Sequence, residues 1–566
     1  MISARSRLAP LAIIAAVWAL CGATVHAEIA TGSHGMVASV HPLATDAGVA
    51  ALRAGGNAID AAVATALALG VVDGHNSGIG GGCFMLARLA DGTFVALDGR
   101  EMAPAAASRD MFIHDGQANS AASQTGPLAS AVPGALALYD EAIRRYGKLA
   151  LADALRPGAE IAGRGFPIDV KYAAKLKGNA ATLARFPASR AVLLKADGSP
   201  LAEGDTLVQK DLAATYRSIA ADGIAWFYRG PFARMTAAWM QSNGGIMTEA
   251  DFAAYQLQRR EPLMTTYRGY AIVGFPPPSS GGVHVAQMLG MLERFDLAAV
   301  ERRNPADRIH VEAEAMKLAF ADRAYWLGDP AFARVPRGLI DRAYIESLSR
   351  RIDPHRATPV PTHGNPPDPN DELFGKHTTH ITAADSRGNI VALTATVNTA
   401  FGSKVIVPGT GVIMNNQMDD FSIQPGVPNS FRLVGAEANA IAPGKRPLSS
   451  MTPTIVLKDA RPVMTVGAAG GPTIITQVLL AITNRLDLGD PIDAAIARPR
   501  FHHQWSPDTL WVEETMPAAV IKELEARGHN VKVRAPAGAT QAIVFDLAGK
   551  LIGASEPRVP GKAAGF

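Results

Sequence analysis

Only two cysteines, Cys21 and Cys83, occur in 566 residues, and Cys21 falls in an N-terminal segment that reads as a removable leader. An internal disulfide is thereby excluded for the mature chain, whose stability must come from packing. Charge of one sign is also missing. The 54 basic and 51 acidic side chains leave a net charge of +3 with no basic block, so nothing points to nucleic acid. Long apolar runs are absent beyond the leader, since no later stretch approaches the roughly 18 apolar residues of a membrane-spanning helix. No membrane anchor is expected.

Hydrophobic content of 48%, charged content of 19% and 54 glycines describe a globular enzyme rather than a disordered or fibrous chain. The length fits two to four domains or one large two-lobed unit. Arg5 and Arg7 precede an apolar run over 8–21 that only Pro10 interrupts, and Val25-His26-Ala27 offers small residues where a signal peptidase reads. Residues 1–27 are therefore expected to be a signal peptide, cleaved after Ala27, with export to the periplasm. Leu20 before Cys21 argues against lipidation.

Local signals divide the rest. A helix is expected over 45–53, capped by Thr45 and ended by Gly55-Gly56, with an Ala-rich helix over 58–72. Residues 83–89 and 93–98 form a hairpin pattern around Asp91-Gly92. The middle, about 105–350, is mostly helical in pattern, as at 137–145, 210–221 and 309–326. Strand patterns return at 454–457, 462–467, 541–545 and 551–554, with a helix at 474–485 between them. Strands near both ends with helices around them imply layered sheets contributed by both halves. Gly78 to Gly82 follows a helix and precedes a strand, the reverse of a phosphate loop, so tight turning or close backbone approach is the reading. His377, His380, His502 and His503 have no nearby cysteine or carboxylate cluster and read as structural histidines rather than metal ligands.

Thr378 stands where a connection with six prolines over 353–376 gives way to a strand pattern over 380–385 and 389–398. A cut between His377 and Thr378 would place a free α-amine, which titrates near pH 8, on the residue carrying the hydroxyl it can activate. This is the threonine form of N-terminal nucleophilic catalysis.

Further motifs accompany it: Asp98-Gly99-Arg100-Glu101-Met102-Ala103-Pro104, Thr396-Val397-Asn398, Asn415 to Phe421, Lys445 to Thr454, and Gly467-Ala468-Ala469-Gly470-Gly471. With these, from about Gly35 to Phe566, the chain closely resembles the γ-glutamyltranspeptidases, or glutathione hydrolases, of the N-terminal-nucleophile hydrolase superfamily. The resemblance implies a four-layer αββα sandwich and self-cleavage by Thr378 into a large subunit, 28–377, and a small subunit, 378–566, that remain one intertwined unit. It implies no metal or organic cofactor. The implied substrates are γ-glutamyl amides such as glutathione, with water, amino acids or peptides as acceptors.

Residue by residue, Arg100 resembles the arginine that grips the donor α-carboxylate, its planar fork suiting two oxygens, and Ser449 and Ser450 match the serines donating to the same group. Asn398, Gln417 and Asp420 match the acceptors around the α-ammonium. Gly470 and Gly471 match the oxyanion hole, and Thr396 the threonine that assists the nucleophile. The lid position, where many bacterial members carry Tyr, is here Phe431, which cannot bond Asn398 by a hydroxyl. Glu556 stands where Asp is frequent. Two alternatives stay open: a cephalosporin or glutaryl acylase of the same family, against which Gln417 and Asp420 argue, and a non-catalytic exported binding protein on the same scaffold.

Overall fold

The computed structural model describes residues 27–367, 381–546 and 548–566. Residues 1–26, where a leader is expected, the expected cleavage pair His377 and Thr378, and His380 lie outside the described residues.

Two seven-stranded antiparallel sheets face each other. One runs, edge to edge, through Glu28–Gly32, Leu551–Ser555, Ala539–Phe545, Arg461–Ala469, Thr454–Lys458, Tyr270–Gly274 and Leu263–Tyr267. The other runs through Lys562–Gly565, Gly35–Ser39, Ile381–Asp385, Ile390–Thr396, Gly82–Arg88, Phe94–Gly99 and Gln258–Arg260. Both sheets mix strands from the two sides of residue 378. In the second, Ile381–Asp385 pairs with Gly35–Ser39, and Ile390–Thr396 with Gly82–Arg88.

Alternation of side chains builds the layers. Phe84 and Leu86 point toward the opposite sheet, where Phe84 stacks on Phe275 with ring centroids 5.4 Å apart, while Cys83, Met85 and Ala87 join the core under the helices. Thr382 Oγ1 donates across the sheets to Thr465 Oγ1 at 3.1 Å. Outside the second sheet lies helix Ala58–Val72, every residue of which is buried between that sheet and helix Leu151–Arg164. That two-sided burial explains its apolar, Ala-rich sequence. Outside the first sheet lie helices Gly281–Leu292 and Thr473–Leu486. The four layers expected from the sequence are present.

The first long helix begins earlier than expected, at Pro42 rather than after Thr45. Pro42 fills a position whose N–H would be unbonded anyway, and the His41 ring accepts from Leu43 N at 3.2 Å. Thr45 instead donates to Lys562 O at 3.0 Å, tying the helix to the C-terminal strand. The glycine run makes close backbone approaches: a Cβ on Gly81 would sit 1.8 Å from Thr396 O, and one on Gly80 would sit 2.1 Å from Ile413 O. No helix among the described residues is long and apolar enough to cross a membrane.

Candidate active site

Thr396 closes the strand Ile390–Thr396, and the backbone turns sharply two residues later, where Asn398 takes φ of 80°. A non-glycine residue in this region is strained. The turn is held by Asn398 N donating to Thr396 Oγ1 at 2.8 Å and Asn398 Nδ2 donating to Asn416 O at 3.0 Å. With its oxygen already accepting, the Thr396 hydroxyl keeps its proton to donate elsewhere.

Arg100 follows the strand Phe94–Gly99 and is wholly buried. Its loop is stapled to the segment before Pro447 by Asp98, whose Oδ1 accepts from Arg100 N at 3.0 Å and from Arg446 Nη1 at 2.6 Å. The guanidinium fork is already engaged inside the protein. Nε donates to Pro447 O at 3.1 Å, Nη1 to Glu101 Oε2 at 3.2 Å and Nη2 to Asp420 Oδ2 at 2.5 Å. Arg100 is therefore less a free clamp than one half of a fixed cation–anion pair.

The other half lies on the short 3-10 turn Gln417–Asp420. Gln417 Nε2 donates to the same Asp420 oxygen at 3.0 Å, and Gln417 Oε1 is buried with no hydrogen-bond partner. A buried carbonyl left without a donor is costly, and here it borders a cavity. Burial pushes the Asp420 carboxyl up from its usual range, with Arg100 opposing. Glu101, behind Arg100, is pushed by burial up to about 7, again with Arg100 opposing.

Gly470 and Gly471 join the strand Arg461–Ala469 to the helix Thr473–Leu486, with φ of 136° and 60°. Neither amide N–H reaches an acceptor among the described residues. Two such donors at a helix N-terminus suit a developing negative charge. The Phe431 ring packs against Gly471, and its loop is pinned by Gln504 Nε2 donating to Phe431 O at 3.2 Å and to Arg432 O at 3.0 Å, and by Ser430 N donating to Asp419 Oδ2 at 3.0 Å.

All these groups line one cavity of about 110 Å³: Thr396, Asn398, Arg100, Gln417 and Asp420, then Ser449, Ser450, Gly470, Gly471 and Phe431. Every described residue that the sequence singled out for the site is thus brought together, while His377 and Thr378 lie outside the described residues. Glu556 does not line the cavity and pairs with Arg500 and Arg558.

Among the cavity residues that escaped the sequence reading, two make polar links to the site. Arg323, on helix Pro305–Trp326, is buried and donates from Nη2 to Ser450 Oγ at 3.0 Å. Asn439 donates to Asp420 O at 2.7 Å and accepts from Leu448 N at 3.0 Å, stitching the acidic turn to the serine segment. Their types carry no motif; only the fold assigns them.

The histidines behave as structural groups where described. His502 pairs with Thr476 Oγ1 and Gln504 Oε1, and His503 with Asp508. The sequence did not single out the buried group of His310, Glu314 and His529. There His310 Nδ1 meets His529 Nε2 at 2.7 Å, and the Lys317 ammonium lies 2.8 Å from Glu314 Oε1. Glu314 is thus already paired with a cation, and the two histidine rings with each other.

Facing antiparallel sheets between helix layers, with paired glycine donors beside a polar cavity, define an N-terminal-nucleophile hydrolase fold. The chain belongs to the γ-glutamyltranspeptidase family, whose model matches residues 44–566. It is 44% identical over 527 residues to the glutathione hydrolase proenzyme of Escherichia coli strain K12, covering 93% of this chain and 90% of that one. It is 42% identical over 552 residues to the acylase ACY 1 proenzyme of Pseudomonas sp. strain V22, covering 95% and 94%. Among solved structures, the cephalosporin acylase from Bacillus halodurans superposes with a TM-score of 0.84 at 28% identity, covering 100% of this chain and 99% of that one. The γ-glutamyltranspeptidase of Helicobacter pylori gives 0.55 at 40% identity, covering 57% and 92%.

Proposed function

We propose that this chain is an exported proenzyme that cleaves itself between His377 and Thr378 and then transfers γ-glutamyl groups from glutathione and related amides to water, amino acids or peptides. The observation that carries this reading is the charge pattern of the cavity. Arg100 and Asp420 set a fixed cation beside a fixed anion, which complements the carboxylate and ammonium of an α-amino-acid head group. The ammonium would be received by Asp420, the unpartnered Gln417 Oε1 and Asn398. The carboxylate would be received by the Ser449 and Ser450 hydroxyls, beside the positive charge of Arg100 and Arg323. This leaves the γ-carbonyl toward Gly470 and Gly471, whose N–H groups would hold the alkoxide formed when Thr378 Oγ attacks. Removing one such donor typically costs about 10²- to 10³-fold in rate.

The same hydroxyl would carry out self-cleavage, moving the acyl group of His377 from nitrogen to oxygen before water releases it. Both sheets contain hydrogen-bonded strands from both sides of residue 378, which supports subunits 28–377 and 378–566 staying together after the cut. The basic start, short apolar run and Val25-His26-Ala27 support export to the periplasm, with mature protein beginning at Glu28.

A second reading, an acylase for glutaryl or cephalosporin side chains, is favoured by the acylases among the relatives. For a glutaryl group the Gln417 and Asp420 acceptors have no partner, because that group carries no ammonium. The deciding experiment measures turnover of γ-glutamyl-p-nitroanilide against glutaryl-p-nitroanilide, alongside intact mass. We expect pieces of about 37 and 20 kDa, apportioning 59.3 kDa by residue count after leader removal, and a strong γ-glutamyl preference. Thr378→Ala should give one uncleaved, inactive chain. Equal turnover of both anilides would overturn the γ-glutamyl reading, and splitting of Thr378→Ala at the same bond would assign the cut to another protease.

A further inference from the structure

Beyond the lid a second groove of about 270 Å³ shares Phe431 and Gly470 with the cavity and extends past Arg432, Gln504, Trp511 and Arg534. It therefore begins where the reacting carbonyl would sit and leads away from the side that would hold the γ-glutamyl group. Arg534, at the end of strand Val531–Arg534, is half-buried, and its Nε is shut from solvent with no hydrogen-bond partner. The carboxylate opposite it in the strand ladder, Glu513, is already held by Arg558 Nη2 at 2.7 Å and by Arg500 N at 3.0 Å. Arg432 is exposed at the rim, and neither arginine has an ion-pair partner among the described residues.

A guanidinium with unmet, partly desolvated donors is a site for a planar anion. An extended dipeptide spans about 7 Å, so a peptide amine at the acyl carbon would carry its terminal carboxylate along the groove. We propose that this groove binds the peptide on the far side of the scissile bond and that Arg534, assisted by Arg432, pairs with that peptide's C-terminal carboxylate. The inference rests on the proposed function, which places the carbonyl at Gly470 and Gly471. In transfer, the peptide's amine lone pair attacks the ester carbon of γ-glutamyl-Thr378. The new C–N bond forms, the bond to Thr378 Oγ breaks, and the amine proton ends on that oxygen. A peptide leaving group travels the same route in reverse.

The test compares glycylglycine with glycylglycine amide, which lacks the carboxylate, as acceptors from γ-glutamyl-p-nitroanilide in the parent, Arg534→Gln and Arg432→Gln proteins. Each transfer rate is divided by the acceptor-free hydrolysis rate of the same preparation, which separates acceptor binding from folding and from donor chemistry. We expect the parent to use the acid at least tenfold better than the amide in kcat/KM, Arg534→Gln to abolish that preference through acceptor KM, and Arg432→Gln to reduce it. The proposal is overturned by equal use of acid and amide in the parent, by a preference surviving in both variants, or by hydrolysis with no transfer to either acceptor. Absence of acceptor-free hydrolysis would instead defeat the proposed function, and this inference would fall with it.

Discussion

Arg323 donates from Nη2 to Ser450 Oγ at 3.0 Å and from Nε to Ser280 Oγ at 3.0 Å. Arginine has no acceptor, so both hydroxyls must accept from it and keep their own protons to give away. Ser280 gives its proton to Ser449 O at 2.7 Å; that of Ser450 is left for a ligand in the cavity. Burial lowers Arg323 to about 10, with Asp420 opposing, so it stays charged at neutral pH. Arg323→Met should raise the donor KM by about 10- to 100-fold, the equivalent of a lost hydrogen bond to a charged group, with a smaller change in kcat and normal self-cleavage. Arg323→Lys should recover only part, because it lacks the fork. Steady-state kinetics in which KM stays fixed would cut the link between Arg323 and the carboxylate.

The Arg100–Asp420 pair makes a second expectation. Arg100→Lys keeps the charge but cannot reach Pro447 O, Glu101 and Asp420 together, and Asp420→Ala removes the acceptor proposed for the ammonium. Each should lower kcat/KM for γ-glutamyl donors by about 2 to 4 kcal/mol, while self-cleavage, which uses no donor, survives. Melting temperatures measured alongside separate lost recognition from lost fold. Parent-like kinetics in both variants would mean that the head group binds elsewhere.

Glu101 gives a pH signature. Its folded pKa of about 7 lies above the usual 4.5 because burial penalises the carboxylate, and Arg100 offsets this only in part. A raised acid pKa means that the fold favours the protonated form. This group's contribution to stability is therefore fully present below pH 4.5 and is lost as pH rises through about 7. Glu101→Gln abolishes that titration. The melting temperature of the parent should fall relative to the variant across this window, and parallel curves would show that Glu101 does not titrate there.

Much of the scaffold was legible because its signals are local. The Asp91-Gly92 turn and the Ala-rich run at 58–72 state their conformation within a few residues, and both elements formed as expected. The helix start at Pro42 departs from the expected Thr45 cap because the group that accepts from the first turn is the His41 ring, a residue type outside the usual cap set. The cavity was legible only through motifs, since its walls come from segments spread between Arg100 and Gly471. Arg323, Asn439 and Gln504 carried no such signal. Arg323 meets Ser450 across 127 positions, and Gln504 meets the lid carbonyls across 73 and 72, so their roles exist only once the chain is folded.

The lid makes the final prediction. The Phe431 ring lies so close to Gly471 that a Cβ there would come within 2.6 Å of it, and the loop is held through its backbone by Gln504 rather than through a side-chain bond to Asn398. Asn398 Nδ2 is instead given to Asn416 O at 3.0 Å. Closure over the cavity thus lacks one hydrogen bond that a tyrosine could add, worth about 0.5 to 1.5 kcal/mol, or about three- to tenfold in a two-state equilibrium. A lid that opens more readily admits water to the acyl-enzyme, so hydrolysis should compete well with transfer in the parent. Phe431→Tyr should shift the ratio toward transfer to glycylglycine by about that factor and lower the donor KM, provided the new hydroxyl wins Asn398 from Asn416 O. Gln504→Ala, which frees the lid carbonyls, should move the ratio the opposite way. If neither substitution moves the ratio or the donor KM, water reaches the ester by a route that Phe431 does not guard.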